Sequence, residues 1–362
     1  MNVATGEHLA TLQLASARKR RLVLALLFML LVVALLLSLS LGASGIPLPH
    51  IIDAFFSKFG LGQGIASMGE SAIFWNIRFP RAMFAVVSGA GLAMSGVLVQ
   101  AVFRNPLAAP DVIGTTGGAA CGAALALTFV PVTAAPFFAA FSVPAAAFVA
   151  GGLATMLVLR ASEIDGRPSA VMMLLVGIAI NAFTGALVGL LTATSTDTRL
   201  RSITSWMLGS IAGADWTQVL IVTATTVIGG LILWRKARTL DALSVGETEA
   251  WASGIDVSFE KRAAVALAAL LSATVVAFAG MIGFVALVVP HLIRVAMGAT
   301  HRNLVPASAL AGATLFLISD TIARNVVAPK ELPVGVITAF IGAPIFVFLL
   351  YQGARRRASW LS

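Results

Sequence analysis

Apolar runs of about twenty residues, nearly free of charge, recur along the whole chain, and this limits the fold more than any other feature. A bilayer core about 30 Å thick takes roughly 20 helical residues to cross, because each residue adds about 1.5 Å. Hydropathy places ten such spans at 22–42, 82–103, 112–130, 138–160, 168–191, 215–234, 262–279, 283–299, 303–323 and 334–353. The runs are continuous and lack the alternation of barrel strands, so the expected fold is an all-α polytopic membrane protein. Composition agrees: 59% of the 362 residues are hydrophobic and 11% charged, too little polar surface to coat a water-soluble fold of this size.

The expected organisation is a short tail over 1–21, one ten-helix membrane domain over 22–353 and a second tail over 354–362. The first run follows Arg18, Lys19, Arg20 and Arg21 but exceeds the apolar region of a signal peptide, so it reads as a retained span. With the N-terminus inside, most of the 24 Lys and Arg fall on the cytoplasmic side. Lys58, Arg78, Arg81, Arg199, Arg201, Arg324 and Lys330 fall outside. That asymmetry predicts both termini in the cytoplasm. The net charge of +9 lies in short loops beside apolar spans, which suits anionic lipid and not nucleic acid. Trp75, Trp216, Trp234 and Trp360 sit near span ends, where indole straddles apolar and wet layers. The lone Cys121 reads as a packed thiol.

Outside the spans, residues 43–81 carry a Gly-Ile-Pro-Leu-Pro turn and a candidate surface helix from His50. Residues 192–214 are rich in Ser and Thr, and residues 239–261 form the longest polar segment inside. Spans two to five and seven to ten recur at similar spacing in opposite directions. Ser88-Gly-Ala-Gly-Leu-Ala-Met-Ser-Gly loosely echoes the segment from Ala273 to Gly280. An inverted repeat would account for this, as would the general likeness of small-residue helices. The glycine and alanine clusters at 89–96, 117–124 and 151–154 read first as close helix packing.

The chain carries no recognisable energy source of its own. Ionisable residues deep in the spans are almost absent, which argues against proton- or ion-coupled transport. No lysine follows a glycine, so a phosphate-cradling G-x-x-x-x-G-K-[ST] loop cannot form and this chain is not expected to hydrolyse ATP. No nucleophile elbow, paired cysteines or His/Glu metal motif is present. His291, after Pro290, reads as structural and not as a metal or haem ligand.

Five segments then combine. They are Arg78-Phe-Pro-Arg81, Arg104-Asn-Pro-Leu-Ala-Ala-Pro-Asp-Val-Ile-Gly114, Leu243-Ser-Val-Gly-Glu-Thr-Glu-Ala-Trp-Ala-Ser-Gly254, Gly280-Met-Ile-Gly-Phe-Val-Ala-Leu-Val-Val-Pro-His-Leu-Ile-Arg294 and Glu331-Leu-Pro-Val-Gly-Val-Ile-Thr-Ala-Phe-Ile-Gly-Ala-Pro344. In this order, across residues 20–353, they resemble the iron-chelate permease family, which includes haem and cobalamin importers.

The resemblance implies a homodimer of ten-helix subunits, two cytoplasmic ATP-binding subunits and a periplasmic substrate-binding protein. No cofactor is expected on this chain, and ATP and Mg belong to the partner ATPase. It further implies that Arg78, Arg81 and Arg324 meet acidic residues of the binding protein, for which guanidinium groups are suited by their bidentate geometry. Residues 243–254 correspond to the coupling helices that sit on the ATPase. Ser244, Gly246, Glu247, Glu249, Ala250, Ser253 and Gly254 are the expected contact set, with the glycines permitting turns and the glutamates offering charge to the partner. Spans five and ten would line the path on the dimer axis, with Asn181, Thr184 and Thr338 as candidate lining residues. The cargo expected is an iron chelate, a ferric siderophore ahead of haem or cobalamin. A secondary carrier and a membrane enzyme or scaffold are the readings from other classes.

Overall fold

The computed structural model describes residues 3–42, 45–130 and 136–358. The described chain is helical apart from one two-residue antiparallel hairpin. In order, the helices are α1 (Val3–Ser40), α2 (Leu48–Ser57), α3 (Met68–Ile73), α4 (Phe79–Val102), α5 (Thr115–Phe129), α6 (Pro136–Ala161), α7 (Ala170–Ala193) and α8 (Asp197–Leu208). They continue with α9 (Trp216–Arg235), α10 (Ala237–Val245), α11 (Glu247–Ala252), α12 (Val257–Ala279), α13 (Val285–Met297), α14 (His301–Asn325) and α15 (Val334–Ala358). The hairpin strands are β1 (Glu163–Ile164) and β2 (Arg167–Pro168), joined through Asp165 and Gly166, both at positive φ as a tight hairpin turn requires.

Every expected apolar run carries a helix, but among the described residues eight helical stretches are long and apolar enough to cross a membrane. The other two, α5 with 15 residues and α13 with 13, span only about 20 Å at 1.5 Å per residue. The cause is local in both. Residues Pro110–Ile113 form a 3-10 turn that ends at Gly114 with φ 76°, so α5 begins later than expected. Gly280 at φ 74° and Phe284 at φ 67° break the chain between α12 and α13. Irregular backbone at membrane depth survives only where protein or a cavity surrounds it. The two short helices occupy the second place in α4–α7 and in α12–α15, the correspondence an internal repeat would produce.

The core forms around α4, which packs against α14, α12, α9, α13 and α1. Its hydrophobic window is 78% buried, against 17% for α1, so α4 is enclosed by protein while α1 keeps most of its apolar surface outward. The glycines set this packing. A Cβ on Gly89 would lie 2.2 Å from the Gly312 carbonyl oxygen, and one on Gly312 would lie 2.4 Å from that of Gly89. Backbone thus meets backbone where α4 crosses α14, the kind of approach small residues permit. Gly96 meets α13 in the same way, with its hypothetical Cβ 1.8 Å from the Ala286 oxygen. Pro290, four residues on from Ala286, has no N–H to offer that carbonyl.

Polar residues close the helix ends. Asp215 accepts the Gln218 N–H at 2.8 Å at the start of α9, and Asp256 accepts the Phe259 N–H at 3.0 Å at the start of α12. On the expected outer side, α2 buries Ile51, Asp53 and Ala54. The Asp53 carboxylate accepts the backbone N–H groups of Gln63 and Ala66 and so ties down the following loop. Cys121 is buried among Ala120, Ala124 and Val188.

Candidate docking and coupling sites at opposite ends of the bundle

The last turn of α1 has carbonyl groups that the helix itself cannot satisfy. Two arginines supply donors: Arg78 Nη1 donates to the oxygens of Leu39 at 2.6 Å and Ser40 at 3.1 Å, and Arg324 Nη2 donates to the Ser38 backbone oxygen at 3.0 Å and its Oγ at 2.9 Å. Arg81 lies one turn into α4 from Arg78. Its Nη2 donates to Asp320 Oδ1 at 2.8 Å, its Nε lies 3.1 Å from the same oxygen, and its Nη1 donates to Glu331 at 2.9 and 3.0 Å. The other oxygen of Asp320 meets Arg324 Nε at 3.1 Å. The three arginines expected to act together are therefore one cluster, built where α1 ends, α4 begins and α14 ends.

The cluster is not a set of guanidinium groups projecting into water. Arg78 and Arg81 are buried, Arg324 is largely so, and Asp320 is completely buried. Asp320 and Glu331 already supply carboxylates of the same chain. Neither acid figured among the expected site residues. Asp320 stands four residues before Arg324, the spacing of a helical ion pair, and that was its visible signal. Among the described residues the cluster sets three guanidinium groups against the two carboxylates of Asp320 and Glu331.

At the other end of α4 and α14 lies the polar segment 237–261. It folds as α10 and α11, joined at Gly246 in extended backbone; Gly254, at φ 79°, donates to the Trp251 oxygen at 2.9 Å and ends α11. Ala250 is buried and pins α11, while Glu249 and Trp251 face outward, and Ser253 Oγ donates to the Glu249 oxygen at 2.9 Å. The Ser244 hydroxyl is buried.

Glu247 is engaged within the chain. Its Oε1 lies 2.5 Å from Lys261 Nζ and 3.6 Å from Arg104 Nη2. Lys261, itself buried, also donates to the Pro168 oxygen at 3.1 Å, and Arg262 holds the hairpin through Glu163 Oε1 at 2.9 Å and the Gly166 oxygen at 2.6 Å. This network links α11 to α12, to the hairpin and to Arg104, the second residue after α4, at φ 47°. A cleft of about 850 Å³ opens here, lined by Arg167, Glu247, Trp251, Asp256 and Lys261. On α10, Asp241 Oδ1 accepts the backbone N–H of His301 at 2.8 Å and lies 2.7 Å from its Nδ1, fixing α10 to the start of α14.

The expected lining residues are more occupied than open. Asn181 Nδ2 donates to the Asp111 oxygen at 2.7 Å, the Thr184 hydroxyl donates to the Ile180 oxygen at 2.9 Å, and the fully buried Thr338 donates to the Gly335 oxygen at 2.9 Å. Asn181 and Thr184 press on Gly117, where a Cβ would lie 2.4 Å from Asn181 Oδ1. An apolar groove of about 560 Å³ lies instead beside α15, lined by Met207, Leu208, Met281, Val336 and Phe340.

A profile of the FecCD transport family matches residues 30–352. The chain belongs to that family. It is 42% identical over 289 residues to the haemin transport system permease protein HmuU of Yersinia pestis, covering 79% of this chain and 85% of that one. It is 34% identical over 336 residues to the iron(3+)-hydroxamate import system permease protein FhuG of Bacillus subtilis, covering 92% and 98%. A solved inward-facing conformation of a metal-chelate type ABC transporter superposes with TM-score 0.79 at 32% identity, covering 91% of this chain and 98% of that one. This FecCD family chain is thus a multi-pass ABC importer permease of the bacterial inner membrane, in a family that serves metal chelates, haem and cobalamin.

Proposed function

We propose that this chain is the membrane subunit of a binding-protein-dependent importer for a ferric siderophore, working as one of two copies, with both termini in the cytoplasm. Two cytoplasmic subunits bind Mg and ATP, and this chain holds no cofactor and breaks no bond. The observation that carries the reading is the placement of two unlike polar sites at opposite ends of the same helix pair. The arginine cluster sits at the end where α4 begins and α14 finishes. The α10–α11 segment sits where α4 finishes and α14 begins.

In this reading, acidic residues of a periplasmic binding protein dock at the arginine cluster, while α11 sits on the ATPase with Glu249 and Trp251 as its outward contacts. Ser244, Gly246, Ala250, Ser253 and Gly254 shape the coupling segment, and Glu247 transmits its movement through Lys261 and Arg104. ATP binding closes the ATPase pair, moves α10 and α11 as a unit and biases the bundle between two access states. The cargo path runs between two copies, beside α7 and α15. The apolar groove at Phe340 suits a weakly held, bulky chelate, and of the three polar lining candidates half-exposed Asn181 suits that role best.

Haem is the second reading, favoured by the higher identity to the haemin permease. The two are separated by uptake of radioactive iron in cells lacking their own chelate permeases. A ferric hydroxamate should accumulate only when this chain is expressed with its ATPase and binding protein. Accumulation of haem without hydroxamate would replace the siderophore assignment.

A further inference from the structure

The two acids of the arginine cluster differ in a way that suggests different tasks. Asp320 has no exposed surface and is clasped between Arg81 and Arg324, so no incoming group can displace it without opening the bundle. Glu331 is 41% exposed and reaches the cluster from the connection between α14 and α15. Among the described residues its hydrogen-bonding partner is Arg81 Nη1 alone, met by both carboxylate oxygens.

We propose that Glu331 is an intramolecular stand-in for the partner's carboxylate: it occupies Arg81 in the undocked chain and yields it when the binding protein arrives. This rests on the docking reading above.

Three features support the exchange. A half-exposed carboxylate bound to one guanidinium nitrogen can leave without unpacking the protein, because water competes for the Glu331 side of the pair even though Arg81 is buried. Release needs only side-chain rotation, since the neighbouring Leu332 keeps its own place by donating its backbone N–H to the Ala323 oxygen at 2.9 Å. The electrostatics also favour it: swinging Glu331 away takes one negative charge out of the cluster and so raises its net positive charge by one.

An acidic surface can pull the exchange forward, and a neutral or basic surface cannot. Glu331 thereby selects for acidic partners. Because α15 starts at Val334, three residues later, the same exchange unties the start of α15 from α4.

The test measures association of the complete permease–ATPase complex, held in lipid nanodiscs, with the substrate-loaded binding protein that supports uptake in cells. Wild type, Glu331→Gln, Glu331→Asp and Arg78→Gln are compared at low and high salt. Glu331→Gln keeps the size and polarity of an exposed side chain and leaves Asp320 on Arg81. It should raise the association rate on the order of threefold at low salt, with the gain lost at high salt. Glu331→Asp should behave as wild type, and Arg78→Gln should weaken docking.

If Glu331→Gln leaves the rate unchanged or lowers it while Arg78→Gln weakens docking, the stand-in role is overturned and the docking site survives. If neither substitution changes association, the docking assignment fails and this inference fails with it.

Discussion

Arg81 on α4 and Asp320 on α14 form a buried charged pair, with Nη2 2.8 Å from Oδ1 and the carboxylate wholly enclosed. A buried ion pair adds little compared with apolar packing, but removing one member leaves an uncompensated charge inside the protein. Asp320→Ala removes the buried carboxylate that Arg81 and Arg324 share, leaving Arg81 to the half-exposed Glu331 and Arg324 to Ser38. It should destabilise the folded chain by about 3–5 kcal/mol, read as a lowered thermal transition in detergent, and Arg81→Met with Asp320→Leu should recover much of the loss. A single substitution that melts like wild type would show that the pair contributes no structural support.

The α4–α14 crossing offers a steric test. Gly89→Ala places a methyl group 2.2 Å from the Gly312 oxygen, so the helices must separate, at a cost of about 1–3 kcal/mol. Gly152 on α6 has no atom within 4 Å of its hypothetical Cβ. Gly152→Ala should be neutral or stabilising by up to about 1 kcal/mol, since alanine is the better helix former. Comparing the two melting temperatures separates close packing from a general intolerance of larger residues.

Glu247 and Glu249, neighbours on α11, should behave differently. Glu249→Lys changes an outward side chain and should weaken ATPase association without altering the stability of the permease. Glu247→Gln removes the charge that Lys261 and Arg104 share, and should loosen α11 itself. A double-mutant cycle of Glu247→Gln with Lys261→Met should show a coupling of about 1–3 kcal/mol in thermal stability. Additive effects would mean that the link carries no energy.

Acid should release the loop that follows α2, which Asp53 holds. Backbone N–H groups of Ala66, and then of Gln63, Ile65 and Gly64, hold the Asp53 carboxyl below its ordinary value of 3.8. A depressed folded value means that the stabilisation is fully present above the unfolded value and is lost as pH falls through the folded one. Hydrogen-exchange protection of residues 63–66 should therefore persist through neutral and mildly acidic pH and fade below about pH 4. Asp53→Asn should remove most of that pH dependence.

Much of the bundle was legible because a transmembrane helix is announced locally, by an unbroken apolar run of fixed length. The shortness of α5 and α13 was harder to see. It depends on Gly114, Gly280 and Phe284 taking positive φ, and a phenylalanine in that conformation has no signature in a hydropathy profile. The arginines were legible as a group, but their partners were not. Arg81 meets Asp320 and Glu331 only after α4, α14 and the start of α15 come together, and no local pattern encodes a pairing across that distance. Glu247 stood out in the sequence as one of two acids in the short polar segment 243–254. Its engagement by Lys261 depends on how α11 folds back on α12.

The central claim is that this chain is a transport subunit driven by a separate ATPase. Its most direct test is mild-detergent purification of the tagged chain from cells that also express its ATPase and binding protein. The account predicts that permease and ATPase elute together in equal amounts, with nucleotide hydrolysis stimulated by the binding protein. A stable permease that elutes alone, despite abundant ATPase in the same cells, would contradict it and point to a secondary carrier.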